Sequence, residues 1–369
     1  MSTDKLESPL EAGNARLQSR LPSLDGLRAV SIALVLLGHL EGTKGFPSWL
    51  DSHVDLGNLG VRVFFVISGF LITTLLVREW SDTGRISLTN FYLRRLFRIF
   101  PACYLFLSVM AIISATGYIE LRPHDLLCGF TYTMNNHVDR SWYVGHLWSL
   151  SVEEQFYILW PVVLYFTGIR TGLRVALGVF LAAPLFRIGM LLLFPSTQFL
   201  IGTFFPTIAD AIATGCILAF VQGDLSRNPK YLTFISSWRF SGVVLAVLVL
   251  IYPISTKLSM LVEQSLLNLA IALCIHRCVL LPSSQLGRIL NSRALGSVGV
   301  LSYSLYLWQQ PFINRGSTAA MTSFPANIAL AFAAAVLSYS LVERPFLKLK
   351  QRFESVTTKL SDHSVGSAS

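Results

Sequence analysis

Long apolar runs alternate with short polar stretches that carry most of the charge along this 369-residue chain. A helix needs about 20 mostly apolar residues to cross the hydrocarbon core of a bilayer, and runs near that length recur. The pattern therefore predicts an all-α integral membrane protein, a bundle of about ten transmembrane helices. We predict membrane segments over residues 24–41, 61–79, 99–117, 147–167, 175–194, 204–221, 240–255, 262–281, 298–315 and 324–345.

The two ends of the chain lack such runs. Residues 1–20 have no apolar core of the kind found in a cleavable signal peptide, so we interpret them as a retained polar cytoplasmic tail. Residues 351–369 are polar and rich in serine, which predicts a disordered cytoplasmic tail. The region between them, 21–350, is predicted to be one membrane domain.

Composition supports this class of protein. The chain is 53% hydrophobic and 13% charged, whereas a soluble protein carries about 25% charged residues. With both termini placed in the cytoplasm, most of the 29 lysines and arginines fall on the inner side, as the positive-inside rule requires. The net charge of +9 is therefore explained by membrane topology, and we expect no binding to nucleic acid.

The same charge pattern decides how the polar stretch 118–146 is interpreted. A full span there would move Arg170 and Arg174 to the outer side, so we favour a re-entrant or outer-surface segment. The five cysteines do not show the spacing of a metal or redox motif, and we predict no metal site.

The first predicted helix carries Arg28 near one end and His39 near the other, with no charged residue between them. They lie about 16 Å apart along the helix axis, and ionisable groups at membrane depth often mark functional sites. Arg28 could instead mark the membrane edge, and His39 could make a hydrogen bond between helices. In the functional alternative, His39 is a general base that takes the proton of a hydroxyl group.

Two further sets of polar residues flank predicted spans. Arg95 and Arg98 share one helix face and could bind phosphate, or could face anionic lipid as a stop-transfer cluster. His146 and Glu153 share a face of the fourth predicted span, where a carboxylate could orient a histidine. An acidic helix start at the interface is the alternative, and Glu154 fits that alternative better.

Charged and aromatic residues also occur in the predicted spans later in the chain. Arg187 and Asp210 lie in the fifth and sixth predicted spans, and we predict that they form an ion pair. Trp308 belongs to an aromatic stretch beside polar groups, which is typical either of an interfacial belt or of a sugar-binding surface.

Six strings in five blocks resemble the acyltransferase-3 family of integral-membrane acyltransferases in both sequence and order. They are LDGLRA with His39 behind it, FFVISGFLIT, FYLRRLFRIFP, HLWSLSVEEQFYILWP, and SYSLYLWQQPF followed by LVERPF. The resemblance extends over residues 20–350, which is nearly the whole chain. Each block alone is weak, and their order along the chain makes the resemblance specific.

This resemblance implies a ten-helix bundle with cytoplasmic ends in the inner membrane of a bacterium. It also implies an enzyme that transfers an acyl group, usually acetyl, from cytoplasmic acyl-CoA to a hydroxyl of an extracytoplasmic or lipid-linked carbohydrate. Acyl-CoA is then the donor co-substrate, and the partners are a glycan acceptor and the lipid bilayer.

The resemblance also implies roles for particular residues. The Arg-x10-His motif of the family falls on Arg28 and His39, its Arg-x-x-Arg motif on Arg95 and Arg98, and its SVEEQFY motif on Glu153, with Glu154 less directly matched. The chain departs from the family in two places. Many members have histidine where this chain has Gln309, and arginine where it has Ile208.

We therefore predict three groups of site residues in an O-acyltransferase. They are His39 and Glu153 for catalysis; Arg28, Arg95 and Arg98 for the acyl-CoA phosphates; and His146, Glu154 and Trp308 for the sugar. His39 takes the hydroxyl proton or, in the alternative, accepts the acyl group itself, and Glu153 orients His39 or the sugar hydroxyl. Two other functions fit the same polar residues, namely a polyprenyl-glycan transporter and a non-catalytic subunit of glycan assembly. Binding or consumption of acetyl-CoA distinguishes the enzyme from both.

Overall fold

The fold is helical throughout the part of the chain that the computed structural model describes, which is residues 21, 23–51, 54–251 and 262–350. No strand occurs within these ranges. Their ten helices of 13 or more residues are α1 (Leu24–Leu40), α2 (Leu56–Thr83), α3 (Leu88–Ala115), α4 (Leu147–Thr167), α5 (Ile169–Leu193), α6 (Phe205–Arg227), α7 (Trp238–Ile251), α8 (Gln264–Leu280), α9 (Arg293–Trp308) and α10 (Ala326–Ser338). A π-helical turn, Tyr339–Glu343, continues α10. Short helices in the connections are Asp125–Phe130, Trp142–Gly145, Pro229–Ser236 and Gln285–Leu290.

Polar side chains outside the apolar runs define where several helices begin. The Asp55 carboxylate accepts a hydrogen bond of 2.9 Å from the backbone N–H of Asn58 at the start of α2. The Ser87 hydroxyl accepts one of 3.4 Å from Asn90 at the start of α3. Each cap satisfies an amide that has no partner within its own helix. Gly84, with φ of 71°, ends α2 in the left-handed conformation that glycine adopts readily.

Several helix boundaries differ from the predicted ones by a few residues, and two of the larger differences affect where polar residues lie. α3 begins at Leu88, well before predicted residue 99, so Arg95 and Arg98 lie within the helix. α9 ends at Trp308, short of predicted residue 315. Pro311 follows closely and has no N–H with which to continue the helical hydrogen bonds, so the chain turns there.

Five stretches of the described chain are long and apolar enough to cross a membrane. They are Leu56–Thr83, Leu88–Ala115, Ile169–Leu193, Pro195–Arg227 and Ala326–Lys350. The all-helical membrane class is therefore supported, while the count of about ten spans and the cytoplasmic side of the termini stay predictions. The predicted segment 240–255 extends beyond the described residues, and the tails 1–20 and 351–369 lie outside them.

Helix α2 lies at the centre of the bundle. It packs against α1, α6 and α8, and α1 packs in turn against α9. The shared core is apolar and includes the fully buried Phe65, Phe70 and Phe106. This arrangement brings the polar residues of α1, α2, α4 and α9 to a common interior, although they are far apart in the sequence.

Arg187 and Asp210 form the buried ion pair that the sequence predicts. Arg187 Nη2 lies 2.5 Å from Asp210 Oδ1, and both side chains are fully buried. The guanidinium Nε also donates to the carbonyl of Thr207 over 2.6 Å, and Ser265 donates to the other carboxylate oxygen over 2.7 Å. The pair joins α5, α6 and α8 inside the bundle.

The α-helices in the stretch 118–146 have only six and four residues, Asp125–Phe130 and Trp142–Gly145, and a single 3-10 turn, Met134–Asn136, lies between them. Neither can cross a bilayer, in agreement with the prediction that this stretch is not a full span. The fully buried carboxylate of Asp125 organises the segment. It accepts the backbone N–H groups of Arg122 and Ser141 and lies 3.1 Å from His137 Nε2.

Candidate functional site

Two cavities meet inside the bundle, and most of the predicted site residues line one or the other. The first, here called the arginine cavity, leaves about 710 Å³ unfilled and is lined by Arg28, Arg95 and Arg98 together with Ser68 and Glu153. The second, the histidine cavity, leaves about 970 Å³ unfilled. Its lining includes His39, Arg140, Trp142, His146 and Arg315.

The arginine cavity unites three cations that the sequence places on two different helices. Arg28 is on α1, and its Nη1 lies 3.3 Å from Oδ1 of Asp25, one turn earlier. Arg95 and Arg98 come from one face of α3, and the Arg95 guanidinium lies over the ring of Tyr157 at 5.0 Å. Such a cluster suits a ligand with several negative charges, because guanidinium groups bind phosphate in a bidentate manner.

The neighbouring Arg94 shows that position on α3 decides which arginines reach this cavity. Its guanidinium lies 3.2 Å from Glu79 at the end of α2, and it is absent from the lining of both described cavities. Successive residues on a helix are about 100° apart, so Arg94 and Arg95 face different directions.

Glu153 lies in the arginine cavity and its carboxylate is engaged there. The Ser68 hydroxyl donates to Glu153 Oε1 over 2.7 Å, and the Tyr157 hydroxyl donates to Ser68 over 3.1 Å. The expectation that Glu153 orients His39 is therefore corrected. Glu153 is almost two turns inside α4 on the side facing α2, and a different residue contacts the imidazole.

That residue is Gln309, immediately after α9. His39 Nδ1 lies 2.7 Å from Gln309 Oε1, and the imidazole packs edge-on against Trp142 with ring centroids 5.6 Å apart. The Arg315 guanidinium donates to the carbonyls of Gly38 and His39 at the end of α1. Gln309 and Trp142 thus hold the imidazole at the wall of the histidine cavity, and Arg315 holds the backbone at the end of α1.

His146 lies in the same wall but is occupied by protein partners. Its Nδ1 is 2.8 Å from Gln310 Oε1, and its Nε2 is 3.1 Å from the carbonyl of Leu307. The side chain is 2% exposed. His146 therefore shapes the cavity predicted to receive the sugar, with both ring nitrogens already engaged.

Val61 and Tyr306 line both cavities and form the boundary between them. The hydroxyl of Tyr306 donates to the carbonyl of His146 over 2.8 Å and lies 2.5 Å from the Ser149 hydroxyl. These contacts fix the aromatic ring at the point where the arginine cavity and the histidine cavity adjoin.

Two predicted sugar-binding residues lie away from both cavities. Glu154 is 5% exposed, and its Oε1 has no hydrogen-bond partner among the described residues. It follows Glu153 directly on α4 and so faces a different direction. Trp308 packs edge-on against Phe106 at 5.3 Å, on the side of α9 that faces α3. Neither residue lines the arginine cavity or the histidine cavity, and their contact with the sugar stays a prediction.

The structure also adds residues that sequence reasoning did not select. In the sequence Gln309 stands out only as a departure from the family pattern, and in the structure it is the hydrogen-bond partner of the imidazole. Trp142, Arg140 and Arg315 lie in polar connections whose course the apolar pattern does not predict. Tyr306 stood within a motif string, but only the packing of α9 shows that it separates the two cavities.

Comparison with known proteins gives a family match. A family model described as an acyltransferase domain matches residues 21–342. Peptidoglycan O-acetyltransferase OatA of Listeria monocytogenes is 28% identical over 368 residues, covering 89% of this chain and 56% of the relative. O-acetyltransferase OatA of Staphylococcus aureus is 30% identical over 372 residues, covering 89% and 57%. The chain thus spans little more than half the length of these relatives. No solved structure matches the chain.

Proposed function

The chain belongs to the acyltransferase-3 domain family, and from that premise we propose that it transfers an acetyl group from acetyl-CoA to a hydroxyl group of a glycan outside the cytoplasm. The observation that carries the proposal is the junction of two cavities of different chemistry. One has three arginines, the other has a histidine, and Val61 and Tyr306 border both. The names of the relatives support a glycan acceptor.

The arginine cavity is assigned to the donor. Coenzyme A carries a phosphate and a diphosphate, and Arg28, Arg95 and Arg98 offer guanidinium forks to those groups. Arg28 and His39 are about 16 Å apart along α1, because each residue of a helix adds about 1.5 Å. An extended pantetheine arm entering past the arginines would bring the thioester toward the boundary at Val61 and Tyr306.

The histidine cavity is assigned to the acceptor. A sugar ring can pack against Trp142, while its hydroxyl approaches the imidazole of His39. In the reaction, His39 Nε2 takes the hydroxyl proton as the sugar oxygen bonds to the carbonyl carbon of the thioester. The carbon–sulfur bond then breaks, and the proton passes from the imidazolium to the departing thiolate, giving the acetyl ester and free coenzyme A.

The proposal is tested by replacing His39 in the bacterium that makes the protein. A strain lacking the gene is complemented with wild type, His39→Ala or the control His124→Asn, and O-acetyl groups on its surface glycans are measured by mass spectrometry. His124 is exposed on a connection with φ of 70°, which asparagine tolerates. We expect acetylation to be lost only with His39→Ala. Normal acetylation by that variant at normal protein level would refute the role of His39.

A second measurement concerns the donor. Purified wild-type protein in detergent is mixed with acetyl-CoA and surface glycan isolated from the deletion strain, and release of the free thiol is followed. We expect release to require both the glycan and His39. Absence of thiol release, together with transfer of glycan across the membrane of vesicles that contain the purified protein, would instead identify a transporter.

A further inference from the structure

Gln309 holds His39 through a contact that fixes the protonation pattern of the imidazole. The distance from His39 Nδ1 to Gln309 Oε1 is 2.7 Å, and Gln309 is fully buried. With Oε1 as acceptor, the proton of a neutral imidazole lies on Nδ1 and the lone pair on Nε2. Only that tautomer can accept a proton through Nε2.

The free nitrogen lies beside the histidine cavity. A Cβ atom built on Gly57 would be 3.8 Å from His39 Nε2 and 3.5 Å from Asp55 Oδ1. Gly57 lines the histidine cavity, and its lack of a side chain leaves space in front of Nε2. The two nitrogens thus face different surroundings, one the buried amide and the other the cavity.

The backbone holds Gln309 firmly in this position. Its N–H donates to the carbonyl of Leu305 over 3.1 Å, the last hydrogen bond of α9. Its carbonyl accepts the N–H of Ile313 over 2.8 Å in the turn that contains Pro311. The side chain therefore extends from a fixed point toward α1 and can orient the imidazole without reaching the cavity itself.

We propose that Gln309 is the positioning residue of His39, a neutral counterpart of the carboxylate that orients histidine in hydrolytic triads. Its amide oxygen keeps the proton on Nδ1 and directs Nε2 at the acceptor hydroxyl. This inference rests on the proposed function. A neutral partner orients the ring as a carboxylate does but adds no charge to stabilise the imidazolium.

The test uses the full-length protein in detergent and compares Gln309→Leu, Gln309→Glu and wild type. Transfer is measured with acetyl-CoA and the isolated glycan. Modification of His39 by diethyl pyrocarbonate is followed across a pH series by peptide mass spectrometry. It reports the protonation of the imidazole independently of acetyl transfer. The other charged and titratable groups lining the cavity around His39 are Asp55, Arg140, His146, Tyr306 and Arg315, and all of them are unchanged in these variants.

We expect Gln309→Leu to lower the transfer rate about 100-fold, the scale of loss from a misplaced reacting group, with KM for acetyl-CoA unchanged. Gln309→Glu should retain more activity than Gln309→Leu and should raise the pH of half-maximal modification of His39 by about one unit, because a carboxylate favours the imidazolium. Gln310→Leu removes the amide that contacts His146 and should leave that pH where it is.

Failure of this inference can be told apart from failure of the proposed function. If His39→Ala abolishes transfer while Gln309→Leu keeps the wild-type rate and modification profile, the positioning role is overturned and the acetyltransferase stands. If His39→Ala transfers acetyl normally, the proposed reaction itself is wrong.

Discussion

Gly69 of α2 and Gly215 of α6 lie at the closest approach of the two helices, each against the other's backbone. A Cβ atom on Gly69 would be 2.0 Å from the carbonyl oxygen of Ile212, and one on Gly215 would be 2.1 Å from that of Val66. No side chain fits at those distances. The paired glycines therefore set the separation of the helices, as small residues do in many membrane interfaces.

Replacing either glycine with alanine is expected to destabilise the bundle. Overpacking of this kind costs about 1–3 kcal/mol and outweighs the gain of up to about 1 kcal/mol from the better helix propensity of alanine. The measurement is the midpoint of thermal unfolding in detergent. Gly223→Ala is the control, because nothing lies within 4 Å of a Cβ there on α6. Equal midpoints for Gly69→Ala and Gly223→Ala would contradict the packing argument.

Loss of Arg98 should weaken binding of coenzyme A by about 10-fold to 100-fold, since hydrogen bonds to charged groups contribute about 1.5–3 kcal/mol. Arg94→Ala is the matched control on the same helix, because Arg94 contacts Glu79 and does not line the arginine cavity. Isothermal titration of the purified variants with coenzyme A gives the comparison. Equal affinities of Arg98→Ala and Arg94→Ala for coenzyme A would show that the arginine cavity does not bind the phosphate groups.

A tryptophan at Val61 should block the reaction while leaving the donor bound. Val61 borders both cavities, and the larger ring would fill the boundary through which the thioester must reach His39. We expect Val61→Trp to bind coenzyme A with an affinity close to that of wild type and to lose most acetyl transfer. Val243→Trp, at an exposed site on α7, controls for the added ring. Full transfer by Val61→Trp would show that the acetyl group does not pass this point.

The bundle should be less stable when one member of the buried ion pair is removed than when both are removed. Asp210→Asn leaves Arg187 buried without a carboxylate, which typically costs about 3–5 kcal/mol. The double variant Arg187→Met/Asp210→Leu removes both charges and should recover much of the loss. The readout is again the unfolding midpoint, with Asp224→Asn as the exposed control on α6. A double variant less stable than Asp210→Asn would show that the uncompensated charge of Arg187 is not the cause of the loss.

Periodicity alone predicts much of this protein, because each apolar run must bury its backbone polar groups within a helix. α4 spans Leu147–Thr167, the predicted segment, and α1 and α8 begin and end within a few residues of the predicted limits. The Arg187–Asp210 pair is also predictable from the sequence. An unpaired charge at membrane depth is energetically unfavourable, so two opposite charges there are expected to form an ion pair. Arg95 and Arg98 are predictable as a unit because one helix face carries both.

Tertiary packing decides which side chains of distant helices contact one another, and no local pattern in the sequence predicts those contacts. Whether His39 contacts Glu153 or Gln309 depends on how α4 and α9 pack against α1 and α2, and residues on distant helices make both contacts. The same packing turned Glu154 and Trp308 away from the cavities and brought Val61 and Tyr306 between them. The apolar pattern along the chain predicts the helices and the kinds of chemical groups that they carry. Only the packing of those helices decided which groups face one another, because contacts between distant segments depend on the shapes of whole surfaces.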